Sequence, residues 1–178
     1  MNYNKKVAVI YNPNSGKKRD VRADIITTLN AKKIAYQIYE TKGHMDGWKI
    51  AQTISAEETS ALIAVGGDGT LHEVVNGMMF RQDKKRIPIA FVPNGSGNDT
   101  CKSLGIDSID RALEYIQKGD LVKIDLNRVH VDSESFEEIE NEGGDQRFQR
   151  IRYSLINSGM GFAAKCVHTA ISVKHWAG

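Results

Sequence analysis

Two glycine-rich stretches carry the residues best suited to chemistry. The first is Gly66-Gly67-Asp68-Gly69-Thr70, directly after the apolar run 62–65. Glycines let a backbone turn sharply and approach a ligand that a Cβ would hold off. Apolar residues then recur at helical spacing (Leu71, Val74, Val75 and Met78), so a helix is expected from about Thr70. The N–H groups and partial positive charge at a helix start favour phosphate. A carboxylate in such a loop repels phosphate unless a magnesium ion or a substrate hydroxyl lies between them, which singles out Asp68. The second stretch, Pro93-Asn94-Gly95-Ser96-Gly97-Asn98-Asp99-Thr100, also follows an apolar run. One glycine turn between strand and helix is ordinary in α/β proteins and weak evidence. Two of them, facing each other across one crevice, are far more specific.

A third stretch, Asn12-Pro13-Asn14-Ser15-Gly16, precedes Lys17, Lys18 and Arg19. Its Asn and Ser side chains suit anion contacts, and the cations could approach a phosphate; a solvated turn is the bland alternative. It is not a Walker loop, because the Gly-x4-Gly-Lys-Ser/Thr spacing is absent. Thr41 follows an expected strand, at the kind of C-terminal strand end where open α/β sheets collect ligands. His44 reads as a polar loop or helix-start residue rather than a catalyst.

The elements that would position these loops alternate along the chain. Strands are expected over 7–11, 34–39, 62–65 and 87–92, the last with Pro88 near its start. Helices are expected over 20–31, behind an Asp20 cap, over 45–56 with Trp48 and Ile54 packing, and over 108–118, ended by Gly119. Residues 121–131 alternate like a long strand. Residues 133–146 are dense in acid, with Glu134, Glu137, Glu138, Glu140, Glu142 and Asp145, and read as a mobile hairpin excursion rather than a metal site. A strand over 148–156 is expected to pair antiparallel with the one before the loop. A small-residue turn (157–162) and a helix (163–173) then close the chain. The class is α/β.

With 178 residues, 40% apolar and 26% charged, the chain can bury a proper core. A net charge of +2 gives no bulk argument for nucleic acid, and no nucleic-acid partner is expected. Cys101 and Cys166 lack metal-like spacing and read as reduced thiols. No apolar run is long enough for a bilayer, and a strand begins too soon for a leader, so a cytoplasmic protein is expected.

The three motifs in this order, with Gly66-Gly67-Asp68-Gly69-Thr70-Leu71-His72-Glu73 as the central one, resemble the diacylglycerol kinase catalytic-domain family, which includes the sphingosine and ceramide kinases. His72-Glu73-Val74-Val75-Asn76-Gly77 is similar to the sphingosine and ceramide kinase branch, and Asn98-Asp99 to the diacylglycerol kinase branch. Ser158-Gly159-Met160-Gly161-Phe162 resembles the motif that opens the family's second domain. The resemblance implies a phosphofructokinase-like open sheet with helices on both faces over 1–128, and an incomplete start of a β-rich second domain over 129–178. It implies that ATP is bound in the crevice between them, with magnesium (Mg2+). The implied nucleotide-binding residues are Asn12, Pro13, Asn14, Ser15, Gly16, Thr41, Gly67, Asp68, Gly69, Thr70, Leu71, His72, Glu73 and Ser96. Asp68 is the implied catalytic residue, acting through magnesium or on a lipid hydroxyl; no set of metal ligands is assigned.

The function this implies is an ATP-dependent lipid kinase acting on a diacylglycerol or sphingoid base at the membrane surface. Lys17, Lys18, Arg19, Lys84, Lys85 and Arg86 are candidates for headgroup contact. Two other functions compete. A catalytically idle domain would serve as an accessory subunit, its site completed by a protein partner or by a C-terminal domain. An NAD kinase shares the Gly-Gly-Asp-Gly-Thr loop, but the 93–99 loop fits the lipid kinases better.

Overall fold

A computed structural model describes residues 5–16, 21–130 and 151–155. The expectations for Lys17, Lys18, Arg19, the Asp20 cap, the acidic stretch 133–146, the 157–162 turn, the 163–173 helix and Cys166 lie outside these residues.

Four strands form one parallel sheet: β1 (Lys6–Tyr11), β2 (Tyr36–Glu40), β3 (Thr59–Gly66) and β4 (Ile89–Pro93), in the order β2-β1-β3-β4. The two central strands are almost wholly buried, as strands covered on both faces must be. The chain passes from β1 to β2 in one direction and from β2 across to β3 in the other. Right-handed crossovers therefore send the helices of these two connections to opposite faces. Helix α1 (Arg22–Ala31) puts Ile25 and Leu29 against Val7, Val9 and Ile63. Helices α2 (Asp46–Thr53) and α3 (Asp68–Met79) put Ala51, Leu71, Val74 and Met78 against Ala8, Ile10, Leu62 and Ala64.

After β4 come the short α4 (Asp99–Ser103) and α5 (Ile109–Lys118), whose Leu113 and Ile116 join the α1 face. The ends of α5 follow from its sequence. The Ser108 hydroxyl accepts from the Arg111 N–H at 3.2 Å, and Gly119 closes the helix at φ 70°.

A second, antiparallel sheet pairs β5 (Asn127–His130) with β6 (Ile151–Ser154), as expected for the chain on either side of the acidic stretch. The amide of Asn76 on α3 anchors it. Asn76, fully buried, donates to the Tyr153 carbonyl at 2.9 Å and accepts from the Tyr153 N–H at 2.8 Å. This amide imitates a strand neighbour, giving β6 the hydrogen bonds a ladder would provide. Phe80 stacks on Trp48 at 5.0 Å and meets Tyr153 edge-on at 5.6 Å, which closes the same junction.

Two expectations are corrected. Helix α3 begins at Asp68 rather than Thr70, because Gly67 is extended (φ −92°, ψ −176°) and its carbonyl already accepts the Leu71 N–H at 3.2 Å. Of the alternating stretch 121–131, the strand is Asn127–His130. Residues 121–126 have no ladder partner among the described residues, and Leu121 and Val122 are exposed. Alternation supplies the faces of a strand, whereas a neighbour supplies its hydrogen bonds. Among the described residues, no helix is long and apolar enough to cross a membrane.

Helices α2 and α3 touch at Gly77, where an added Cβ would run into the Trp48 carbonyl and lie 2.9 Å from the Ala51 methyl. Gly77→Ala is therefore expected to destabilise by roughly 1–3 kcal/mol through overpacking, although alanine is the better helix former. Urea unfolding measures this, and an unchanged or raised midpoint would contradict the close approach.

Candidate active site

The order of the strands reverses between β1 and β3, and their C-terminal ends open a crevice of the kind that binds ligands in such sheets. Three loops line it. The loop after β1 is tied down by Asn12, whose amide donates to the Thr70 hydroxyl at 3.0 Å. Its backbone passes so close to the third loop that a Cβ on Gly16 (φ +88°) would strike the Asn94 carbonyl. The Asn94 amide in turn donates to the Ser15 carbonyl at 3.2 Å. Between the second and third loops the backbones nearly touch, since a Cβ on Gly95 would lie 2.5 Å from the Gly67 Cα. The two glycine loops thus meet, and leave a cavity of about 820 Å³ beside them. That is within the range of small-molecule sites.

Asp68 occupies the first turn of α3 and faces this cavity. Its Oδ1 accepts from the Thr100 hydroxyl at 3.1 Å and the Thr100 N–H at 3.3 Å, and its Oδ2 from the Asp99 N–H at 3.3 Å. A carboxylate offers about four acceptor sites, so these bonds fix its orientation and leave Oδ2 one lone pair. A Cβ on Gly97 would sit 3.2 Å from Oδ2, so glycine keeps that approach open. The first backbone N–H groups of α3 point the same way with no intrahelical acceptor.

Most of the expected site residues converge here: Asn12, Asn14, Ser15 and Gly16 from the first loop, Thr41 after β2, and Ser96 from the third. Gly67, Asp68, Gly69, Thr70, His72 and Glu73 complete the group. Two do not line the cavity. Pro13 is an exposed turn residue, and the Leu71 side chain is buried on the core face of α3.

Glu73 has a structural duty as well. Its Oε1 accepts from the Met45 N–H at 2.9 Å and its Oε2 from the Gly47 N–H at 3.1 Å, which caps α2 where Met45 is left-handed (φ 65°). His44 approaches the same carboxylate at 3.4 Å. Sequence reasoning gave His44 and Trp48 to a loop and to packing, yet both line the cavity, with Gly43 and Met45. It passed over Arg152 altogether. That residue reaches the cavity from β6, and nothing local in the sequence signals the crossing.

Among the described residues, no three acidic, histidine or cysteine side chains cluster to hold a metal. Magnesium commonly takes one or two carboxylates plus substrate phosphates and water, and Asp68 fits that habit. Cys101, on the buried face of α4, is inert as a nucleophile, because burial and then the Asp68 charge push its thiol up to about 12.

The model of the diacylglycerol kinase catalytic domain matches residues 6–129. The chain belongs to this family. It is 33% identical over 129 residues to the diacylglycerol kinase of Staphylococcus aureus strain MRSA252, a match covering 71% of this chain and 40% of that protein. A diacylglycerol kinase crystal structure from Bacillus anthracis superimposes with a TM-score of 0.59 at 29% identity, covering 70% of this chain and 44% of the other. The chain thus spans less than half the length of the relatives it matches.

Two expectations follow. Glu73→Gln loses an acceptor for one of the two α2 N–H groups and should destabilise by roughly 1–3 kcal/mol in urea unfolding; a change near zero would contradict the cap. His72 is open to the cavity, yet the crevice walls strip enough water to hold its pKa below the usual 6.5, with the Arg152 charge as the second cause. The unfolded chain therefore takes up this proton at higher pH than the folded one. Stability from His72 is full above pH 6.5 and declines as pH falls through that value. Titration of the imidazole by NMR should give a midpoint below 6.5, and a higher one would overturn the assignment.

Proposed function

We propose that this chain supplies the ATP-binding and phosphate-transferring half of a lipid kinase whose acceptor is the hydroxyl of a diacylglycerol. The observation that carries this is the Asp68 carboxylate, oriented by the start of α4 and open to the crevice at the start of α3. The glycine backbones of the second and third loops let phosphate oxygens approach their N–H groups, and the first turn of α3 favours negative charge there. Magnesium, where bound, neutralises charge on the phosphates. Phosphoryl transfer asks of the protein mainly position and charge neutralisation. The lipid oxygen forms its bond to the γ-phosphorus as the bond to the departing ADP breaks, and Asp68 accepts the hydroxyl proton. The names of the relatives favour diacylglycerol over a sphingoid base.

Contact with the membrane is peripheral in this reading. Two of the basic residues that are candidates for headgroups also have partners within the chain. Lys85 pairs with Glu57, and Arg86 donates to the Met78 carbonyl at the end of α3. Lys17, Lys18, Arg19, Lys84, Lys85 and Arg86 all remain candidates, because an exposed ion pair is easily exchanged for another.

The test is transfer of labelled γ-phosphate from Mg-ATP, offering diacylglycerol, sphingosine and ceramide in mixed micelles, with NAD as a separate acceptor. Label in diacylglycerol is the expected result, and Asp68→Asn should lower it by about 10²-fold or more with the circular dichroism spectrum unchanged. Label in NAD, or full activity in that variant, would contradict the proposal. ATP binding without transfer would instead favour an accessory domain.

A further inference from the structure

Among the described residues, the large apolar side chains left exposed are Leu104, Leu121, Val122 and Ile124. They lie together. Leu104, Val122 and Ile124 line a groove of about 720 Å³ between α3, β4 and residues 122–126. With Leu121 they also line a smaller hollow of about 300 Å³ beside α5. Single apolar side chains are ordinary on a surface, whereas a contiguous apolar face marks a binding surface. The floor of the larger groove is Leu71, Val75 and Met78 of α3, with Ile89 and Phe91 of β4. We infer that this groove holds an acyl chain of the lipid acceptor. This rests on the lipid-kinase reading above.

Three observations select an acyl chain as the occupant. Along α3, Asp68, Leu71, Val75 and Met79 follow at spacings of three and four, which puts them in one stripe. A carboxylate heads this stripe, and apolar side chains continue it for about 16 Å along the helix axis. Thr100 joins the groove to the carboxylate. It lines the groove, and its hydroxyl is the one that donates to Asp68 Oδ1 at 3.1 Å. The groove therefore begins one side chain away from the group that takes the acceptor's proton. Met78 and Met79 also line it, and unbranched thioethers adapt to a flexible hydrocarbon. A molecule with one hydroxyl and a long apolar chain matches this order, its head at Asp68 and its chain along the stripe.

The test pairs an NMR titration of the 15N-labelled full chain with phosphate transfer from labelled Mg-ATP. The ligands are dioctanoylglycerol and, separately, glycerol. The amides of Leu104, Val122 and Ile124 are expected to shift and saturate with dioctanoylglycerol and to ignore glycerol. The double variant Val122→Asp, Ile124→Asp changes exposed positions only, so the fold should survive it. It is expected to raise the KM for dioctanoylglycerol by roughly 10- to 100-fold with kcat within about twofold, the pattern of lost uniform binding. Transfer with the groove amides unmoved, as when protein rather than lipid fills the groove, would overturn the inference and leave the kinase standing. An unchanged KM in the variant would do the same. Groove shifts without transfer would support the acyl site and count against the kinase reading. Neither shift nor transfer would overturn both.

Discussion

Everything in this crevice depends on two backbones passing within contact distance of each other. Gly67 and Gly95 meet without side chains, and a Cβ on the latter would lie 2.5 Å from the Cα of the former. No substitution of rotamer relieves such a contact, since the intruding atom is fixed to the backbone. The contact sets how close α3 and α4 come, and hence that Asp68 finds its three donors at the start of α4. In the proposed function, the same approach is what lets phosphate come close to the N–H groups of these loops. Order in the site is thus a consequence of missing atoms as much as of present ones.

A second constraint works at the other wall. The small sheet is short, with four residues in each described strand, and two strands of that length have little stability alone. Asn76 and the aromatic group of Trp48, Phe80 and Tyr153 hold it against α3. Residues that shape the cavity therefore also join the two sheets. Glu73 has the same double nature, as a wall of the cavity and as the cap of α2.

Much of this was legible in the sequence. The central strands announce themselves as short apolar runs because both of their faces are covered, and Gly119 marks the end of α5 by known capping chemistry. The loops are legible because glycine is required where backbones converge. What was not legible depends on distant partners. Nothing near Arg152 says that β6 crosses α3, and nothing near Asn76 says that its amide will meet a backbone 77 residues away. The alternation of 121–126 misleads for the same reason, because the pattern describes a face and not the neighbour. Leu71 shows the limit of a motif, in which adjacent residues share a signature while one faces ligand space and the next faces the core.

The central claim is that the meeting of the glycine loops is the nucleotide site. An NMR titration of the 15N-labelled chain with Mg-ATP tests it most directly. The amides of Gly67, Gly69, Gly95 and Gly97 should shift and saturate together, while those of Leu104, Val122 and Ile124, along the apolar groove on the far side of α4, stay in place. Shifts confined to that groove, or none at saturating nucleotide, would contradict the account.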